Sequence, residues 1–116
     1  MAKYETSLQG DFTQILSDIE SGILAGSMSA SCEARSDFFL GEVRCSVRVF
    51  ERYSMIGGNR VSLNVTLVGD KENLFLSAIT SGGSQAMLLK INTFGEEAFL
   101  DCVREIVQGF GYARTT

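Results

Sequence analysis

Val43-Arg44-Cys45-Ser46-Val47-Arg48-Val49 and, beyond a Gly57-Gly58-Asn59 turn, Val61-Ser62-Leu63-Asn64-Val65-Thr66-Leu67 alternate apolar with polar residues without a break. A period of two sends successive side chains to opposite sides of a strand, so each stretch reads as a β-strand with one apolar face. The glycine-rich turn makes the two antiparallel neighbours. The pattern predicts a sheet with a single greasy face that carries Val43, Cys45, Val47, Val49, Val61, Leu63, Val65 and Leu67. Arg44, Ser46, Arg48, Ser62, Asn64 and Thr66 are expected on the other side.

Towards the N-terminus, Tyr4, Thr6 and Leu8 alternate with Lys3, Glu5 and Ser7 and predict a first strand. Gly10 breaks it, and Asp11 with Gln14 three residues on forms a cap for a helix whose apolar stripe is Phe12, Ile15, Leu16, Ile19 and Ile23, ending near Gly26. From Met28 the period returns to two, with Met28, Ala30, Cys32 and Ala34 on one face, and a turn containing Asp37 and Gly41 leads into the strand quoted first. Towards the C-terminus, Gly69-Asp70-Lys71 turns into a strand over 73–80 that is apolar on both sides, with Leu74, Leu76 and Ala78 opposite Phe75 and Ile79. A final strand is expected over Ala86 to Ile91. Thr93 with Glu96 then caps a closing helix with the stripe Phe99, Val103, Ile106, Val107 and Phe110.

The fold class that follows is α+β: one domain over 1–116, a curved antiparallel sheet of five or six strands with two helices packed on one face, in β-α-β4/5-α order. Its 116 residues suffice to bury roughly 65% of the unfolded chain's surface without a disulfide or metal staple. The arrangement is similar to helix-grip and TATA-binding-protein-like domains, some of which hold apolar ligands between helix and sheet. Arg60-Val61-Ser62-Leu63-Asn64-Val65-Thr66-Leu67-Val68-Gly69, Ala78-Ile79-Thr80-Ser81-Gly82-Gly83-Ser84-Gln85 and Asn92-Thr93-Phe94-Gly95-Glu96-Glu97 resemble a family of small bacterial proteins of unknown function. That resemblance implies a bacterial origin and carries over no activity and no ligand residues.

Composition narrows the chemistry. The chain has no histidine, which removes the usual general base, proton shuttle and metal ligand and, with them, serine-histidine and cysteine-histidine schemes. Three cysteines without close spacing make no metal set, and no cofactor is expected. Cys32 and Cys45 fall in apolar phases and read as small buried hydrophobes. The net charge of −4 is spread along the chain and gives no basic footprint for nucleic acid. No apolar run reaches the length of a signal peptide or a membrane helix, so the expected location is the cytosol.

Three groupings remain. If the sheet is a simple meander, the Gly57-Gly58 and Gly82-Gly83 turns are neighbours, and Arg52, Asn59, Arg60, Ser81, Ser84 and Gln85 gather at one rim where two guanidinium groups could fork a carboxylate or phosphate. Phe38 and Phe39 lie in a connection, Met55 and Ile56 at a hairpin tip, and Phe75 and Ile79 on the second face of their strand; together they suggest a contact surface between two copies. Large residues on the closing helix opposite small ones, Ala30, Cys32, Ala34 and Ala78, leave open an apolar pocket with Cys45 or Met28 on its wall. The leading expectation is a non-catalytic interaction or self-assembly module acting as a homodimer; the alternative is a binder of a small apolar or anionic molecule.

Overall fold

The computed structural model describes residues 1–53, 59–82 and 89–111, with 89–94 as backbone alone. Its elements are β1 (Ala2–Gln9), α1 (Phe12–Ala25), β2 (Ser31–Leu40), β3 (Val43–Tyr53), β4 (Arg60–Asp70), β5 (Asn73–Gly82) and α2 (Leu89–Gly109). The five strands form one antiparallel sheet in the order β1-β5-β4-β3-β2. The chain starts at one edge, crosses the sheet through α1 to the other edge, and returns by hairpins until β5 lies beside β1. Fold class and element order are those read from the sequence, with five strands.

Asp11 caps α1 as expected: its Oδ2 accepts the Gln14 backbone N–H at 2.9 Å. The stripe Phe12, Ile15, Leu16, Ile19 and Ile23 is buried throughout. Gly22 lies inside this helix, where glycine costs about 1 kcal/mol relative to alanine. The reason is the neighbouring helix. A Cβ at Gly22 would sit 2.5 Å from Ile106 Cδ1, and one at Gly26 would sit 2.9 Å from Cys102 Sγ. Two glycines four residues apart thus make a groove that receives two α2 side chains four residues apart. Gly69 plays a similar part in β4, where a Cβ would meet Leu74 Cδ2 at 2.5 Å and Phe12 Cδ2 at 2.6 Å.

The core lies between the helices and the sheet. Leu8, Val61, Leu63, Val65, Leu67, Leu74, Leu76 and Ala78 meet Ile15, Ile19 and Ile23 of α1 and Phe99, Leu100, Val103 and Val107 of α2. Two helices about 10 Å wide cover some 20 Å, whereas five strands about 4.8 Å apart span about 24 Å, so one strand is left over. Because α2 packs on β5, β1 and β4, the overhang falls at β2, which is exposed from Glu33 to Leu40.

Several boundaries differ from expectation. Met28 and Ser29 form a turn and β2 starts at Ser31, so Phe38, Phe39 and Leu40 belong to a strand, not to a connection. The β2 to β3 turn is Gly41-Glu42, with Gly41 at φ +62° in the first turn position, as tight hairpins of the mirror-image type require. The next hairpin turns at Lys71-Glu72, two residues beyond Gly69, and Lys71 takes the left-handed conformation at φ +58°. Leu89, Lys90 and Ile91 are helical, not strand; a short apolar run has no period to separate the two, and α2 already contains Thr93. Residues 83–88 lie outside the described residues.

The largest correction concerns the strands that decide the fold. Phe50 faces Leu63, Arg48 faces Val65, Ser46 faces Leu67 and Arg44 faces Gly69. Directly opposed residues share a face of the sheet. The helix side of β3 therefore carries Arg44, Ser46, Arg48, Phe50 and Arg52, while Val43, Cys45, Val47 and Val49 point away from the helices. The apolar phases of β3 and β4 lie on opposite faces, and the sheet has two apolar sides.

Candidate functional site

The helix-free side of the sheet follows from the registers. Phe38, Cys45, Val68 and Phe75 form one row across β2 to β5, followed by Ser36, Val47, Thr66 and Ser77, and then Ala34, Val49, Asn64 and Ile79. No Asp, Glu, Lys or Arg stands in these rows. Leu40 and Val43 extend the field at one end, where Asp70 closes it, and Glu51 closes the other end. On β1, Lys3 and Glu5 bound it laterally, opposite Ile79 and Ser77. Along Ala34–Leu40 of β2 no charge stands on this side. Phe38, Phe75, Ile79 and Leu40 remain 49%, 43%, 38% and 77% exposed, so nothing among the described residues covers them. A charge-depleted apolar centre within a polar rim is the composition of a protein contact surface.

The helix side of β3 is polar because α1 supplies its partners. The Arg44 guanidinium lies 4.2 Å above the Phe12 ring and donates to Thr13 Oγ1 at 2.7 Å. Arg48, almost fully buried, pairs through Nε with Glu20 of α1 and through Nη2 with Asp37 of β2 at 3.0 Å. Ser46 donates to the same Asp37 Oδ1. The Ser46 hydroxyl and then the Arg48 guanidinium hold the Asp37 carboxyl below its usual range. Burial opposes the charge of Arg48, but its bonds to Glu20 and Asp37 outweigh that, so its pKa lies above the ordinary arginine value. The network ties β2, β3 and α1 together and leaves no buried side-chain donor or acceptor unpaired among the described residues. Its members are occupied with one another, which suits a structural role.

Of the residues expected at an anion rim, the two arginines lie on opposite faces of the sheet. Arg60 projects on the helix-free side, where it pairs with Glu51 and Glu33 and lies 5.5 Å over the Tyr53 ring. Arg52 projects on the helix side, 4.4 Å from the Phe99 ring centroid. Alternation along the strands separates them, because Arg52 opposes inward-facing Val61 while Arg60 opposes Tyr53. Ser81 lies on the helix-free side opposite Ser62, and Asn59 precedes β4. Ser84 and Gln85, like Met55 and Ile56, lie outside the described residues. Burial pushes the Arg52 pKa down, and among the described residues no carboxylate counters it.

Of the expected contact residues, Phe38, Phe75 and Ile79 share the helix-free face, whereas Phe39 projects to the helix side beside Arg44, 5.9 Å from its guanidinium. The pocket walls also scatter. Cys45 and Ala34 are on the helix-free side, and Met28 and Phe110 are exposed. The space beneath α2 is filled by Phe99, Leu100, Val103 and Val107, each 0% exposed. The three cysteines are free, with Cys32 and Cys45 on opposite faces. Burial pushes the Cys102 thiol up, which disfavours the thiolate that reactive cysteines need. Among the described residues no group of acids and cysteines could hold a metal, and no helix is long and apolar enough to cross a membrane. Glu96, expected as part of a helix cap, is buried instead, where it accepts the Gly82 N–H at 2.8 Å and pairs with the Met1 amine at 3.0 Å.

Sequence reasoning missed the outward set on β3 and read the second half of β2, from Asp37 on, as a turn and connection. The available signal was the pair Arg44 and Arg48, four residues apart and in one phase with Phe50, with Thr13 and Glu20 spaced to meet them from α1.

The pattern of a family described as "Family of unknown function (DUF6054)" matches residues 1–111, and the chain belongs to that family. No curated protein and no solved structure matches it.

Proposed function

We propose that this member of the family is a non-catalytic module that works by self-association through the helix-free face of its sheet. The observation that carries the reading is the uncharged field running from the Phe38 row to the Ala34 row, with Phe38, Phe75 and Ile79 exposed on it. Isolated apolar residues on a surface need no explanation, but a contiguous field bounded by charge does. A twofold packing of like faces, about 10 Å apart, would cover it.

Native mass spectrometry tests the proposal. The wild-type chain is expected at a multiple of 12.6 kDa, and Phe75→Glu is expected to keep its melting temperature and lose mass. An unchanged oligomer in Phe75→Glu, or a wild-type monomer at tens of micromolar, refutes it. Cytosolic location and bacterial origin belong to the same proposal and are tested by fractionation of the source cells.

One observation favours the second reading, a small-molecule binder. Arg52 keeps a half-buried guanidinium beside Phe99 with no carboxylate partner among the described residues. A metabolite screen that raises the melting temperature of wild type but not of Arg52→Met supports it.

A further inference from the structure

We propose that two copies of this chain join edge to edge through β2, antiparallel and in a register centred on Ser36, so that their sheets become one. The inference rests on the self-association reading above and concerns a different surface from the helix-free face. β2 is an edge strand with no strand beside it on the side away from β3 among the described residues. Such an edge is a template for another strand unless it is short, covered or blocked by charge. β2 runs for ten residues, α1 stops short of it, and its one irregularity lies between Cys32 and Ala34. The stretch from Ala34 to Leu40 is regular.

Charge selects the partner and the register. Arg35 stands directly opposite Arg48 on the helix side, a like-charge juxtaposition that destabilises a sheet. Arg48 is satisfied by Glu20 and Asp37, whereas Arg35 has no ion pair among the described residues. Asp37 uses Oδ1 for both Ser46 and Arg48, which leaves Oδ2 to accept a further donor. A twofold pairing that keeps both helix layers on one side of the joined sheet must centre on a residue. Centring on Arg35 sets two arginines opposite each other, and centring on Asp37 sets two aspartates opposite each other. Centring on Ser36 sets Arg35 of each copy opposite Asp37 of the other, twice, and Phe38 opposite Ala34 on the helix-free side.

Area gives an independent argument. Three rows about 6.8 Å apart over four strands about 4.8 Å apart make a field of about 400 Å². A standard interface takes about 800 Å² from each partner. Charges stand at the two ends of the field, at Asp70 and Glu51, and on β1, at Lys3 and Glu5, but none stands on this side along Ala34–Leu40 of β2, so edge pairing merges two fields into one of about 800 Å². The twofold axis of the edge contact is perpendicular to the sheet and that of face packing lies parallel to it. Together they close a tetramer of dihedral symmetry.

Ser36→Cys tests the register. In the proposed pairing the two Ser36 Cα atoms lie about 4.5–5.5 Å apart, within the range a disulfide spans. Mild oxidation followed by peptide mapping is expected to find a 36–36 link between chains, both in Ser36→Cys alone and in Ser36→Cys with Phe75→Glu. Phe38→Cys, whose symmetry mate is not its neighbour, is expected to give no such link. Adding Arg35→Glu replaces two attractions with two repulsions and is expected to weaken the pairing at least about tenfold. Arg35→Glu in the chain with its native Ser36 gives a second readout by native mass spectrometry. An oligomer that persists while the 36–36 link is absent overturns the edge pairing and leaves the face reading standing. A monomer with no link overturns both.

Discussion

Replacing Gly22 by alanine sets two effects of opposite sign against each other. Helix propensity alone favours alanine by about 1 kcal/mol, because Gly22 sits within α1 and not at its end. Against this, the new Cβ would lie 2.5 Å from Ile106 Cδ1, 2.7 Å from Cγ1 and 3.5 Å from Cγ2. Ile106 is β-branched and has one strongly preferred rotamer in a helix, so it cannot swing clear. The helices must separate, which at typical overpacking costs of about 1–3 kcal/mol outweighs the propensity gain. The expected net loss is about 1 kcal/mol. For 116 residues, at about 2.1 cal/mol/K per residue, that lowers the melting temperature by about 4 °C. The assay is urea unfolding at 25 °C of wild type, Gly22→Ala, Ile106→Val and the pair. Ile106→Val removes Cδ1, the atom nearest the new methyl, so the pair is expected to be at least about 0.5 kcal/mol more stable than additivity predicts. A Gly22→Ala chain more stable than wild type would refute the close helix contact.

Gly69→Ala places a Cβ 2.5 Å from Leu74 Cδ2 and 2.6 Å from Phe12 Cδ2, and calorimetry is expected to find a loss of about 2–3 kcal/mol, since both neighbours are buried. Arg48→Met is expected to cost about 2 kcal/mol in urea unfolding, less than the roughly 3–5 of a fully buried broken pair, because Glu20 and Asp37 keep 22% and 50% of their side chains exposed. Asp37 titrates below its unfolded value of about 3.9, so its contribution is present above about pH 4 and is lost as pH falls through the lower, folded pKa. Asp37→Asn is therefore expected to be less stable than wild type at pH 7 and to lose less stability between about pH 5 and pH 2.5, as read from unfolding midpoints across that range.

The sequence revealed elements better than their relations. Asp11, the α1 stripe and the alternations in β1, β4 and β5 each sit within one segment, where local spacing is sufficient. The pairing of β3 with β4 is different. Their relative phase depends on the length of the connection between them: an even number of residues between Tyr53 and Arg60 sets odd positions of β3 beside even positions of β4. Each alternation was legible, but their agreement was not. The separation of Arg52 and Arg60 was hidden for the same reason, since the phase of each strand places them on opposite faces. Phe75 and Ile79 were legible as a second apolar face because both phases of β5 are apolar within one strand. The part of Glu96 was not, because its partners, Met1 and Gly82, come from elements that only the finished sheet brings near the helix.

The outward phase of β3 is held by more than its turn. Slipping β3 by one residue would bring Val43, Cys45, Val47 and Val49 beneath α1 and so bury apolar surface that the single chain leaves half exposed. It would also expel Phe50, which is 0% exposed, and would strip Thr13 and Glu20 of Arg44 and Arg48. Breaking that ionic set costs more than half-covered valines gain, because α1 presents polar groups at this edge and could not pack against them. The observed phase is therefore the stable one for the monomer. It still does not explain why the outward residues are valine and cysteine: threonine would keep the strand preference and suit water better. Their apolar character finds its use once a second sheet covers them. The same polar edge of α1 that turns the valines outward also lets β2 overhang, and so leaves open both surfaces through which copies of the chain are proposed to meet.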